Sequence, residues 1–174
     1  MLLAREKASP VEAVRRLGGL QAQLARPPYI GLWSRIEGFR REDLTEAVRR
    51  RELVRGTMMR GTLHLCPVPE FQAIRPLLQP MLSKALRSVL KERADVLDIE
   101  GLLAATRAYL ADGPRTFEEI RDHLESLKLP GDERARGYAV RLSLPLVQVP
   151  DGSAWGYPGN AAFAPADTWI LEAP

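Results

Sequence analysis

Thiols and imidazoles are nearly absent from this chain, which carries one cysteine and two histidines in 174 residues. A single Cys66 forms no internal disulfide, and one cysteine with two histidines supplies no zinc framework. No run approaches the roughly 20 apolar residues of a membrane helix. The opening MLLAREKASP holds too short an apolar stretch for a signal peptide. Phosphate-binding loops, dinucleotide fingerprints, nucleophile elbows and metal-ligand spacings are all missing. These absences leave the common enzyme classes unsupported. The expectation is no metal, no cofactor, no membrane partner and a cytoplasmic location.

What is present is ordinary in amount and uneven in placement. Hydrophobic residues make up 45% and charged residues 27% of the chain, the composition of a globular protein. The length suits one domain or two small ones. Residues 1–60 carry 13 Lys and Arg against 7 Asp and Glu, whereas the remainder carries 12 against 15. A basic front half points to attraction for a polyanion.

The order of elements says more. SPVEAVRRL (9–17) has a Ser N-cap, a Pro at the first helical position and Glu12 at capping-box spacing. Gly18-Gly19 offers a stop. PPYIGLWSRI (27–36) predicts a helix with Tyr29, Ile30, Trp33 and Ile36 inward. REDLTEAVRRR (41–51) predicts another with Leu44, Ala47 and Val48 inward. In MRGTLHL (59–65) the period becomes two: Met59, Gly61, Leu63 and Leu65 share one face, and Arg60, Thr62 and His64 the other. A hairpin with 53–58 follows. Three helices and a hairpin describe a winged helix.

The order then returns. IEGLLAATRAYLADG (99–113) predicts a helix. TFEEIRDHLESL (116–127) carries the T-x-x-E capping box, and DERARGYAVRLSL (132–144) is a third helix weakened by Gly137. LPLVQVPDGSAWGYPG (144–159) predicts a hairpin with Asp-Gly in its turn. Between the two groups, Pro76 and Pro80 divide a helical stretch. From 81 onward Leu82, Ala85, Leu86, Val89 and Leu90 form its buried stripe. Lys84, Arg87 and Lys91 make a basic row on another face, suited either to a phosphate backbone or to plain solvation. The expected fold is therefore α+β, predominantly α, with tandem winged-helix units. It is divided into a first winged helix (1–67), a connecting helical segment (68–96), a second winged helix (97–160) and a further segment (161–174).

One stretch resists a structural explanation from sequence alone. LGGLQAQL (17–24) places Gln21 and Gln23 two apart, where helical residues do not meet. They share a site only if the segment is extended or at a helix end. Glutamine does not titrate, so a role in satisfying loop backbone groups competes with one in chemistry.

LGGLQAQLARPPYIGLWSRIEGF (17–39), followed by LVRGTMMRGTLHLCP (53–67), resembles the AlkZ/YcaQ-type family of bacterial DNA glycosylases. The signature of that family is a Q-x-Q or Q-x-D triplet in the first winged helix, here Gln21-Ala22-Gln23. The resemblance implies hydrolysis of the N-glycosidic bond of alkylated purines, N7-linked interstrand crosslinks among them, with Gln21 and Gln23 as catalytic residues. It implies double-stranded, alkylated DNA as partner and a nucleoid-associated location. An N7-alkylated guanine is already cationic and departs without a strong acid. What remains is to place a water at the anomeric carbon and to stabilise positive charge on the sugar, which an amide carbonyl can do.

Other residues are candidates for DNA contacts. Arg55 and Arg60 near the hairpin suit phosphates. Thr62 and His64 lie on the polar face of the predicted strand, where His64 serves either a structural hydrogen bond or a functional one. Lys84, Arg87 and Lys91 complete the set, and Tyr29 and Trp33 are expected in the core. Family members are longer, so the chain is expected to be the N-terminal portion of such an enzyme. Trp169, Ile170 and Leu171 would then be an exposed apolar end that promotes self-association. The alternatives are a non-catalytic winged-helix regulator reading bases through 41–51 or 132–144, and a winged helix that binds protein.

Overall fold

A computed structural model describes residues 4–171. Helix α1 (Pro10–Arg16) starts where Ser9 accepts the Glu12 N–H at 3.1 Å. It stops at Gly18 and Gly19, whose φ values of +69° and +98° are left-handed conformations suited to glycine. That double break redirects the chain into the short edge strand β1 (Leu20–Gln21). Helices α2 (Pro27–Trp33) and α3 (Arg41–Arg49) follow, then strands β2 (Leu53–Thr57) and β3 (Leu63–Pro67). Helices α4 (Val68–Leu77) and α5 (Gln79–Leu90) separate at Leu78. Pro76 falls in the last turn of α4 and Pro80 in the first turn of α5. Next come α6 (Ile99–Leu110), β4 (Arg115–Thr116), α7 (Phe117–Ser126), α8 (Glu133–Ser143), β5 (Leu146–Gln148), β6 (Ala162–Pro165) and α9 (Ala166–Leu171). The capping box of α7 forms, with Glu119 N–H donating to Thr116 Oγ1 and Thr116 N–H to Glu119 Oε2.

The strands join in one antiparallel sheet, ordered β1-β3-β2-β5-β6-β4. The two hairpins therefore meet edge to edge through β2 and β5, with Arg55 opposite Gln148 and Gly56 opposite Val147. Side chains alternate between its faces. On one face, Leu53 and Leu65 join Val14, Leu32, Leu44 and Val48 of α1–α3, while Leu63, Leu146 and Phe163 join the core of α5–α8. On the other, Val54, Cys66 and Val147 are covered by Phe71 of α4 and by α9.

Three sequence expectations are corrected. The strand that pairs with β5 is Ala162–Pro165, not 154–159. Asp151-Gly152 lies in a connection, 149–161, that crosses to the first helix group. There Tyr157 and Ala161 enter the α1–α3 core and Trp155 packs edge-on against Tyr29 at 5.1 Å. A buried aromatic is worth more there than a tight turn would be. The alternation predicted for 59–65 holds only from Leu63. Met59–Gly61 is a 3-10 turn with Arg60 at φ +58° and Gly61 at φ +70°. And α2 turns Tyr29 and Leu32 inward, leaving Ile30 and Trp33 54% and 55% exposed. Trp33 instead carries the Arg5 guanidinium on its ring at 4.4 Å.

Smaller departures follow the same logic. Val89 is exposed while Leu82, Leu86 and Leu90 are buried. Trp169 and Ile170 pack on the α4 side of the sheet, and Trp169 stacks with Arg51 at 3.7 Å, so of the three apolar residues only Leu171 is exposed. The last three residues of the 161–174 segment lie outside the described residues. Gly137 has a packing reason: a Cβ there would lie 3.3 Å from the Phe117 ring.

Gly56 is the tightest point of the sheet. A Cβ there would stand 2.8 Å from Phe71 Cε2 and 2.9 Å from the Leu146 carbonyl oxygen. Gly56→Ala should destabilise the protein by about 1–3 kcal/mol, the usual cost of overpacking. A lowered urea midpoint with an unchanged m-value checks it.

Candidate active site

The chain is extended through Gln21 and Ala22 and bends from Gln23 to Arg26. Leu20 opposes Leu65 and Gln21 opposes His64. Ala22 continues the ladder, donating its N–H to the Leu63 carbonyl at 2.8 Å. Leu20 and Ala22 turn into the α1–α3 core. Gln21 therefore lies on the opposite side of the strand, and both it and Gln23, where the bend starts, are exposed.

The reciprocal ladder bond is replaced. Leu63 N–H donates at 3.2 Å to Gln23 Oε1 instead of to the Ala22 carbonyl. The Ala22 carbonyl accepts from Arg55 Nε at 2.7 Å, and the Gln23 carbonyl from Arg55 Nη2 at 3.0 Å. The two glutamines thus differ. Gln23 has its oxygen fixed against a backbone donor, while the Gln21 amide has no hydrogen-bond partner among the described residues.

Arg55 is 5% exposed and stacks beneath Tyr157 at 5.1 Å. Burial pulls its pKa down, and no carboxylate faces it in an ion pair among the described residues. A phosphate contact for Arg55 does not fit this geometry, because its donors are turned inward onto the triplet. Burial in the same cavity raises the Tyr157 phenol.

His64 is also interior, 4% exposed, with Nδ1 at 3.0 Å from the Thr62 carbonyl. The Thr62 hydroxyl donates to the Met59 carbonyl within its own turn. Arg60 is exposed at the tip of that turn and has no ion pair among the described residues. Lys84 and Arg87 are exposed on α5, and Lys91 follows its end at φ +52°, which breaks the helical row. Helix α5 packs against the turn that carries Arg60. Its Leu82–Leu86–Leu90 side joins the core of Leu63, on the sheet face opposite His64 and Gln21. The structure thus brings Gln21, Gln23 and His64 together, buries Arg55 beneath them, and groups the other cations at a different place.

A groove of mixed charge between α7 and α8 escaped the sequence reading. Arg121, Arg134 and Arg141 line it with Glu118, Glu133 and Asn160, and Arg121 pairs with Glu133 at 3.1 Å. Arg141 stacks on Phe117 at 4.3 Å, and its Nε has no partner among the described residues. Burial, then Arg121, lowers its pKa. Arginines spread over two helices leave no linear signal.

The fold is thus mostly helical α+β, two helix groups sharing one antiparallel sheet with an amide pair on its edge. The family described as DNA glycosylase AlkZ-like matches residues 14–174, and the chain belongs to that family. Among solved structures, the DNA glycosylase AlkZ of Streptomyces sahachiroi is similar, with a TM-score of 0.75 at 20% identity. The match covers 99% of this chain and 47% of that one. The chain spans about half the length of that relative, and the likeness is one of fold. No curated protein matches the sequence.

Arg55→Met would leave the Ala22 and Gln23 carbonyls without their donors, at about 1–3 kcal/mol for each buried group. Arg55→Lys, with one nitrogen, would recover part of the loss. Urea unfolding of the three proteins checks the order: parent, then Lys, then Met.

Proposed function

We propose that this chain carries the catalytic site of a DNA repair glycosylase that hydrolyses the N-glycosidic bond of N7-alkylated purines in duplex DNA, interstrand crosslinks included. Membership of the AlkZ-like family supports the class of reaction. The carrying observation is the solvent-facing Gln21–Gln23 pair at the edge of the sheet, its backbone held by Arg55 through the Ala22 and Gln23 carbonyls.

The chemistry asked of these groups is modest. The departing purine carries its own positive charge, so its C1′–N9 electrons neutralise it as it leaves. Positive charge then collects on the sugar. The free Gln21 amide turns its oxygen to the attacking water and the negative end of its dipole to that charge. Gln23 spends its oxygen on Leu63 N–H and presents its NH₂, which suits a sugar or phosphate oxygen. Arg60, Lys84, Arg87 and Lys91 hold the DNA backbone by charge, a contact without sequence information.

Release of free N7-methylguanine from duplex DNA tests the reading. The parent should release base. Gln21→Ala should lose about 10²–10³-fold in single-turnover rate, the usual cost of one well-placed electrostatic group. Gln23→Ala should lose rate as well. Equal release by all three proteins would end the glutamine mechanism. DNA binding without release would favour a non-catalytic winged-helix protein such as a regulator.

Replacing Lys84, Arg87 and Lys91 together by Gln should flatten the slope of log Kobs against log salt by about 0.9 for each phosphate no longer neutralised. Fluorescence anisotropy between low and moderate salt measures it, and an unchanged slope removes the row from the interface.

A further inference from the structure

We infer that His64 is the proton acceptor for the water that Gln21 holds. The inference rests on the glycosylase reading and supplies what that reading lacks. Attack of water at C1′ yields a protonated sugar hydroxyl, and an amide does not take up that proton.

The geometry points to His64 in three ways. Gln21 and His64 are directly opposed across β1 and β3. The backbone bonds of that ladder run through the neighbouring pair, Ala22 with Leu63. Gln21–His64 is therefore a non-hydrogen-bonded pair, the kind in which Cα atoms approach to about 4.5 Å and side chains lie closest. The Thr62 carbonyl fixes the ring next. A carbonyl only accepts, so Nδ1 carries the hydrogen in the 3.0 Å contact. In the neutral ring the lone pair is then on Nε2. Finally, Nε2 has no partner among the described residues and is not among the fully buried unpartnered atoms, although the residue as a whole is interior.

His64 sits between two neighbouring strands. On one flank is Gly56, whose missing side chain lets the Phe71 ring descend onto the strand. On the other is the edge strand that bears Gln21.

In the step this arrangement performs, the C1′–N9 pair leaves with the purine and the base departs neutral. A water lone pair forms the new C1′–O bond, and one water proton passes to His64 Nε2. The products are an abasic sugar with a C1′ hydroxyl and an imidazolium, which returns its proton to solvent.

The test uses the full chain with duplex DNA bearing N7-methylguanine, scored as single-turnover release. His64→Asn, which keeps an amide donor near the Thr62 carbonyl, should lose about 10²-fold or more in rate, with DNA affinity unchanged. His64→Gly should be inactive in buffer and regain rate with rising free imidazole, which a merely structural histidine would not allow. If His64→Asn matches the parent while Gln21→Ala is slow, His64 is not the acceptor and the glutamine site stands. Lost activity in both His64 variants with no imidazole rescue also overturns the inference. A parent that releases no base overturns this step and the glycosylase reading together.

Discussion

A buried guanidinium holds the molecule's two halves and its candidate site in one arrangement. Arg55 projects from β2 into a space closed by Tyr157, which arrives from the connection after β5. With its charge removed from water and no acid beside it, Arg55 depends on carbonyl oxygens for compensation. The oxygens it finds belong to Ala22 and Gln23. Those carbonyls answer to Arg55, and it is the Gln23 side chain that accepts the Leu63 N–H. The shape of the triplet is thus set from below, by a residue with no exposed role.

That dependence makes the two helix groups inseparable in function. Gln148 of β5 opposes Arg55 directly and is itself buried, with Oε1 lacking a partner among the described residues. Tyr157 and Trp155 complete the core of α1–α3 from a distant part of the chain. The second group is more than a neighbour of the first. It supplies the lid of the cavity in which Arg55 works, so a change at Tyr157 reaches Gln23 through two contacts. Arg75 repeats the device elsewhere: fully buried on α4, its pKa pulled down to about 10 by burial, it donates to the Leu142 carbonyl of α8.

What sequence made legible was local chemistry. The Ser9 cap, the Gly18-Gly19 stop, the Thr116–Glu119 box and the inward face of α3 are short-range features with few competing explanations, and each is present. Extended backbone at Gln21 was legible too, since helical spacing would have separated the two glutamines, but the bend that begins at Gln23 was not. What escaped depends on partners far away in the chain. Arg55 reads as a surface cation until Tyr157 covers it, and Trp33 reads as core until α2 proves too short to bury both of its apolar edges. The Asp-Gly dipeptide signals a hairpin by itself, but the aromatic residues after it are drawn into another core. The pairing of β2 with β5 has no local signature.

Amides at the candidate site then make physical sense together with His64. A carboxylate beside Gln21 would stabilise charge on the sugar more strongly, yet it would also meet the phosphates of any bound duplex with like charge. Neutral amides avoid that repulsion and still aim a dipole. Their weakness is that they move no proton, a task that the proposed mechanism gives to the residue opposite Gln21 on the next strand. In that mechanism, dividing orientation and proton uptake between β1 and β3 ties the chemistry to strand register. A one-residue slip would send both side chains to the other face. The two-residue strand β1 has little pairing of its own to resist such a slip, which returns the burden to Arg55 and its two carbonyls.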